Sequence, residues 1–248
     1  MGRMTETVKV LLIINVIFFI GTLAIGDQAY QYFSLWFFKN ENFGVWQIIT
    51  HMFMHGGFMH ILFNMYALWA FGSPIEQMLG KNKFIFFYFS AGIGAALIHS
   101  LVNYYHYQAG YSALIDAGMS SEGIQTFLKT GQYSTQILNS VSQDMLRELY
   151  ISFNTPAVGA SGAIYGILVA FGMLFPNVEL FLIFVPVPIK AKFFIPALIG
   201  LDLFSGVTGY SIFGGGIAHF AHIGGALFGF IMMWYWKKNQ FDKNRWDR

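Results

Sequence analysis

The spacing of the charges constrains this chain more than any other feature. Its 14 basic and 12 acidic residues, 26 among 248, leave uncharged runs at 10–26, 42–75, 84–115, 149–178 and 203–236. A helix of roughly 20 residues crosses a hydrocarbon layer about 30 Å thick, and each run meets or approaches that length. A soluble domain is about 25% charged, whereas this chain is 10% charged, 56% hydrophobic and 19% aromatic. Disorder is excluded, because it requires low hydrophobicity and high charge. A net charge of +2 lacks the basic footprint of a nucleic-acid binder, so no nucleic-acid partner is expected. The absence of cysteine removes disulfides, thiolate chemistry and Cys-ligated metals.

The runs resolve into six candidate spans near 10–26, 52–72, 84–104, 157–176, 193–210 and 217–236. The expected fold is therefore an all-α, polytopic membrane protein of six transmembrane helices, a single domain over 1–248. The first run follows Arg3 and Lys9 and ends at Ala24-Ile25-Gly26, which partly mimics a cleaved leader. Phe18, Phe19 and the run's length favour a retained helix. With the amino terminus inside, the inner segments 1–9, 73–83, 177–192 and 237–248 hold eleven of the fourteen basic residues. The outer segments hold only Lys39, Lys129 and Arg147. That asymmetry places both termini in the cytoplasm, with a plasma membrane as the expected location.

Three stretches depart from a simple serpentine. Residues 27–51, with Tyr30, Tyr32, Phe33, Trp36, Phe37, Phe38 and Trp46, suit an outer segment lying in the headgroup layer. Residues 106–156 carry charges and place Ile137, Val141, Met145, Leu149 and Phe153 at four-residue intervals, as on one helix face. They are expected to form an extracytoplasmic helical insertion between spans three and four, beside the outer mouth of any site and shaping access to it. Val178 to Lys190, broken by Pro186 and Pro188, is expected to be an extended interfacial piece.

Polar residues inside spans are costly and call for a reason. His60 and Asn64 lie in the outer half of span two, Ser161 about four residues into span four, and His222 about five into span six. At ~1.5 Å per residue they share one shallow level. Gly159, Gly162 and Gly166 surround Ser161; Gly225 and Gly229 follow His222. Small residues at four-residue spacing let membrane helices meet backbone to backbone, as a serine and an imidazole must when heavy atoms approach to about 2.6–3.2 Å. Tyr165, one turn below Ser161, is placed to pack on the imidazole. His60 and Asn64 share a helix face and could supply donors to a developing oxyanion, with the Ser161 N–H.

These residues carry a resemblance to rhomboids, the intramembrane serine proteases. The matching pieces are His55-Gly-Gly-Phe-Met-His60-Ile-Leu-Phe-Asn64, Gly159-Ala-Ser161-Gly with Tyr165, and Ala221-His222-Ile-Gly-Gly225 with Gly229, spread over roughly 46–232. The resemblance implies Ser161 as nucleophile, His222 as general base and then acid, and His60 and Asn64 as oxyanion-stabilising groups. It also implies that the aromatic outer segment is the family's first loop, half immersed in the membrane. Rhomboids often carry Trp-Arg in that loop, whereas here Trp46-Gln47 leaves its polar anchoring open.

No carboxylate stands in a motif with His222, so the expected machinery is a Ser–His dyad with no cofactor and no metal. His51, His55 and His60 are close in sequence, but no His-Glu-x-x-His occurs, and His51 and His55 are read as structural. His99, His106 and His219 receive the same reading, Asp202 is read as a local pair or cap, and Glu76 as structural. The expected partners are the lipid bilayer and transmembrane protein substrates, cleaved near the extracytoplasmic end. An inactive rhomboid relative that binds clients would typically lack the serine or histidine. A histidine-lined transporter would place polar groups at several depths.

Overall fold

The structure is a computed structural model that describes residues 3–182, 185–210 and 218–241. Lys243, Arg245 and Arg248, counted above among the inner basic residues, lie outside the described residues, as does residue 217 at the start of span six. The chain opens with α1 (Glu6–Ile25), whose one long face of Val10, Ile13, Ile17, Ile20 and Leu23 is exposed. Its first-turn N–H groups have no cap of their own. Instead the Glu76 carboxylate accepts from the N–H of Thr7 and of Val8, each at 3.1 Å, and from the Thr5 hydroxyl. A carboxylate at a helix N-terminus satisfies orphan donors and complements the dipole.

The outer segment contains α2 (Asp27–Phe33) and α3 (Gln47–Thr50). Gln47 holds it together. It is fully buried; its Nε2 donates to the carbonyls of Gln31, Tyr32 and Asn42, at 3.1, 3.3 and 2.8 Å, and its Oε1 accepts from the Trp36 N–H. The neighbouring Trp46 indole donates to the Tyr32 carbonyl at 2.8 Å. A neutral amide thus gathers the carbonyls, and the missing arginine leaves no gap in the loop's anchoring.

The helix at the expected second span begins later than its hydropathy suggested. His51–Phe53 forms a 3-10 turn and the chain is non-helical through Gly57. Helix α4 (Phe58–Ala67) then runs through a π turn at Leu68–Gly72 into α5 (Ser73–Leu79), which has Pro74 in its first turn. Proline is tolerated there because its missing N–H falls where the wider π turn already alters the bonding. Next comes α6 (Lys81–Asp116), a 36-residue helix that continues past the expected end of span three into the insertion.

The rest of the insertion is α7 (Ser121–Thr130), a 3-10 turn at Thr135–Asn139 and α8 (Gln143–Asn154). Its four-residue pattern fails in two ways. Helix α8 starts after Ile137 and Val141, and Met145 is exposed while Leu146 and Leu149 are buried. Those two join Leu114, Ile124, Phe127, Leu128 and Val141 in a separate small core. Phe37 of the outer segment is buried in it too, and Asn40 donates to the Phe153 carbonyl at 2.8 Å. Leu35 and Ala157 exchange backbone hydrogen bonds at 2.9 Å. Residues 106–156 therefore brace residues 27–51.

Helix α9 (Ser161–Leu174) is the hub: every residue from Gly162 to Phe171 is buried. A helix apolar on all sides must be surrounded. The expected extended piece is a hairpin, β1 (Glu179–Leu182) with β2 (Val185–Lys190), pairing Glu179 with Lys190 and Leu180 with Ile189; residues 183–184 are not described. Two strands leave both edges free, so Pro186 and Pro188 are accommodated. This hairpin is the exception to an all-α chain. Helices α10 (Ala191–Thr208) and α11 (His219–Trp236) complete the fold. By length and composition α1, α6 and α10 are each able to cross a membrane.

Replacing Gln47 by alanine would leave the Gln31 and Asn42 carbonyls and the Trp36 N–H without this side chain's hydrogen bonds, while the Tyr32 carbonyl keeps the Trp46 indole. At about 1–3 kcal/mol per buried unsatisfied group, Gln47→Ala is expected to lower the unfolding midpoint in detergent, with the exposed Gln28→Ala close to wild type.

Candidate active site

Three helices begin at the site. His60 is the third residue of α4, Ser161 the first of α9, and His222 the fourth of α11. Ser161 thus stands at a helix start and not a turn inside, as its hydropathy had suggested. The chain before it is held out of the helix by the Leu35–Ala157 bridge, by the Gly159 N–H donating to the His51 carbonyl at 2.9 Å, and by Gly159 itself at φ 124°. That backbone conformation favours glycine. A Cβ there would also lie 2.8 Å from His60 Nε2, so the same glycine lets His60 approach the loop that delivers Ser161.

The small residues of α9 and α11 meet as their spacing predicts. A Cβ on Gly225 would fall 1.8 Å from the Gly162 carbonyl oxygen, and one on Gly229 2.5 Å from Gly166 Cα. Helix α6 is equally close: Cβ atoms on Gly162 and Gly166 would fall 2.4 and 2.6 Å from the Cβ atoms of Ala95 and Ala91. Gly94 accommodates the Phe228 ring and Gly92 the Met52 side chain. The run Ala91-Gly92-Ile93-Gly94-Ala95 was the overlooked signal for this third partner.

That approach brings His222 Nε2 to 2.9 Å from Ser161 Oγ, within reach for proton transfer. Tyr165 stacks on the His222 ring, with centroids 4.2 Å apart and planes at 12°. His60 Nδ1 accepts from the Gly56 N–H at 3.3 Å, which leaves Nε2 as the donor toward Gly159. Asn64 is buried one turn further along, and among the described residues its Nδ2 has no partner. A cavity of about 20 Å³ touching Ser161, Gly159, His51, His99, Ala218 and Ala221 has room for one water molecule.

The largest departure from the sequence reading is Asp202. Far from making a local pair or cap, its carboxylate reaches across from α10 to the site. Oδ1 lies 3.2 Å from His222 Nδ1 and 2.6 Å from His219 Nδ1, and the Tyr165 hydroxyl donates to Oδ2. No local motif announces a contact across 20 and 37 residues of sequence; the only signal was a lone acidic residue in an apolar helix. The other histidines behave as structural groups. His51 Nδ1 lies 2.7 Å from the Gln47 carbonyl and His55 Nδ1 3.3 Å from that of Phe53. His99 pairs with Asn103 on its own helix, and His106 faces Glu148. Among the described residues no group of three or more His, Asp or Glu side chains is gathered as for a metal ion.

Helices packed by glycine around a serine and a stacked histidine, with wide apolar faces turned outward, define a membrane protein with a hydroxyl–imidazole pair at its helix starts. The chain belongs to the rhomboid family: the Rhomboid domain matches residues 42–139 and 124–239. It is 31% identical over 189 residues to the mouse presenilin-associated rhomboid-like protein, mitochondrial, covering 76% of this chain and 36% of that protein. Similarity to rhomboid protein 1, mitochondrial, of Saccharomyces cerevisiae is 27% over 191 residues, 77% of this chain and 42% of the relative. Rhomboid protease GlpG of Salmonella choleraesuis is 39% identical over 77 residues, 31% of this chain and 28% of that protein. The match thus spans well under half the length of each of these relatives.

The glycine contacts make a sharp prediction. Gly225→Ala would drive a methyl into the Gly162 carbonyl, and overpacking of this kind costs about 1–3 kcal/mol or more. The unfolding midpoint in detergent is expected to fall accordingly. Gly200→Ala in α10, where an added Cβ meets nothing within 4 Å, is expected to leave it unchanged or slightly raised.

Proposed function

We propose that this protein is an intramembrane serine endopeptidase that cleaves transmembrane segments of other membrane proteins near their extracytoplasmic end. The observation that carries the reading is the 2.9 Å contact between His222 Nε2 and Ser161 Oγ. His222 takes the hydroxyl proton as Ser161 Oγ attacks the scissile carbonyl, and the resulting imidazolium then protonates the leaving amine. Water enters, loses a proton to His222 and hydrolyses the acyl ester, which restores Ser161. The developing oxyanion is met by the Ser161 N–H and by the side chains of His60 and Asn64. Three helix starts converge there, and their dipoles favour negative charge. The Asn64 Nδ2, without a partner among the described residues, is a donor for that moment.

In this reading the chain crosses the membrane six times. Helices α4 and α5 with their π turn cover Phe58 to Leu79, about 33 Å at 1.5 Å per residue, and α9 and α11 complete the count. The basic inner segments place both termini in the cytoplasm, and the site and the 106–156 insertion open to the other side. The bilayer is that of a plasma membrane; "mitochondrial" belongs to the names of the mouse and yeast relatives. Substrates enter as unwound chain with small residues beside the scissile bond, an expectation taken from the family resemblance.

Labelling of the purified protein with a fluorophosphonate tests the chemistry. Wild type is expected to label and Ser161→Ala to show none, with His222→Ala reduced by a factor on the order of 10³ or more. Equal labelling of wild type and Ser161→Ala, or none in folded wild type, removes the protease reading. Because the chain has no cysteine, orientation is measurable with single cysteines and a membrane-impermeant maleimide in intact cells. Lys129→Cys is expected to react, and Lys9→Cys and Lys238→Cys only after permeabilisation; the reverse pattern overturns the orientation.

A further inference from the structure

The carboxylate of Asp202 is the most demanding group in the bundle. Its side chain is 4% exposed, and those of His219 and His222 are 10% and 13% exposed. An unpaired carboxylate in such a place costs several kcal/mol, so its partners must supply donors. Three converge on it: His219 Nδ1 and His222 Nδ1 on Oδ1, and the Tyr165 hydroxyl on Oδ2. An ionised carboxylate only accepts. Facing one, each imidazole must therefore carry its proton on Nδ1. For His222 that choice decides the chemistry, because a proton on Nδ1 leaves the Nε2 lone pair directed at Ser161 Oγ 2.9 Å away. The other tautomer would point a hydrogen at the nucleophile and could not take its proton.

We propose that Asp202 is the positioning residue of His222, making the site a relay of Ser161, His222 and Asp202 in which the carboxylate fixes the imidazole tautomer and stabilises the imidazolium. This rests on the protease reading and deepens it: the expected Ser–His dyad gains a third member from α10. His219 and Tyr165 complete the carboxylate's hydrogen bonds and hold it at the height of His222. Tyr165 acts twice, its ring against the imidazole and its hydroxyl on the carboxylate that orients the same imidazole. The other titratable groups that act on His222 are His60 of α4 and His99 of α6. Neither is acidic, so among the described residues the stabilising negative charge at His222 comes from Asp202.

A purely structural Asp202 would merely tie α10 to α9 and α11. The rate of fluorophosphonate labelling at Ser161 as a function of pH separates the two roles. Wild type is expected to label with an acid limb set by His222. Asp202→Asn, folded as judged by its unfolding midpoint, is expected to label on the order of 10²–10⁴-fold more slowly at its optimum. The acid limb of its labelling profile should also move, because the charge beside the imidazole is gone. A folded Asp202→Asn that labels at the wild-type rate with an unmoved limb overturns the proposal and leaves the protease reading standing. Wild type that does not label removes both. Should the variant not fold, ¹⁵N-histidine NMR of the wild type decides: a neutral His222 protonated on Nδ1 supports the relay, and one protonated on Nε2 overturns it.

Discussion

Backbone contact between α9 and α11 is the constraint on which the rest of the molecule depends. In lipid no hydrophobic force pulls helices together, and close packing must hold them. The pairs Gly162–Gly225 and Gly166–Gly229 are so close that a methyl at Gly225 would overlap a carbonyl oxygen. Two such pairs one turn apart fix rotation and translation of one helix on the other. Ser161 and His222 each precede a glycine of the first pair by one and three residues, so the register that seats the glycines also sets the height of the reactive atoms. Ala91 and Ala95 of α6 close the third side. The distance between Ser161 and His222 is in this sense a packing distance.

The outer segment is organised on a different principle. Besides packing Leu35 against Ala96 and Phe33 against Phe18, it uses hydrogen bonds and a second core. Gln47 gathers carbonyls from three residues, the Leu35–Ala157 bridge ties the segment to the strand of chain entering α9, and Phe37 is sunk among the side chains of the insertion. The insertion's first structural effect is thus on the outer segment, and through Leu35 and Ala157 on the approach to Ser161. An influence on substrate access would act through that brace.

Local patterns were legible in the sequence, and long-range pairings were not. The glycine spacing, the shared face of His60 and Asn64, and the stacking place of Tyr165 are properties of one turn of helix, so they could be read directly. Helix ends were displaced wherever a tertiary contact overrode hydropathy. Span two starts at Phe58 because the chain before it is turned by His51–Phe53, and α9 starts at Ser161 because Gly159 and the Leu35 bridge hold back the residues before it. In α8 a strict interval of four selected Met145, whereas an α-helical face drifts with 3.6 residues per turn and buries Leu146. Asp202 was missed for a simpler reason: its partners lie on other helices, and nothing beside it in sequence says which.

Two buried carboxylates suggest why α1 and α10 can be so exposed and still belong to the fold. Both helices turn wide apolar faces outward, and neither meets the central helices through interlocking glycines. Besides a few buried apolar residues, Val8 and Leu11 of α1 and Ala191 and Ile195 of α10, each is tied to the rest by one acidic side chain with its donors supplied. Glu76 of α5 accepts from the first turn of α1, and Asp202 of α10 accepts from α9 and α11. Charge-assisted hydrogen bonds are roughly twice as strong as neutral ones and depend on direction, so one of them can locate a helix that packing leaves free to slide. The arrangement is stable only while every donor is present, since removing one leaves charge buried without a partner. At Glu76 the donors are two backbone N–H groups and the Thr5 hydroxyl, so the joint serves structure alone. At Asp202 one of the donors is the His222 imidazole, so in the proposed mechanism the hydrogen bond that attaches α10 is also the one that orients the base.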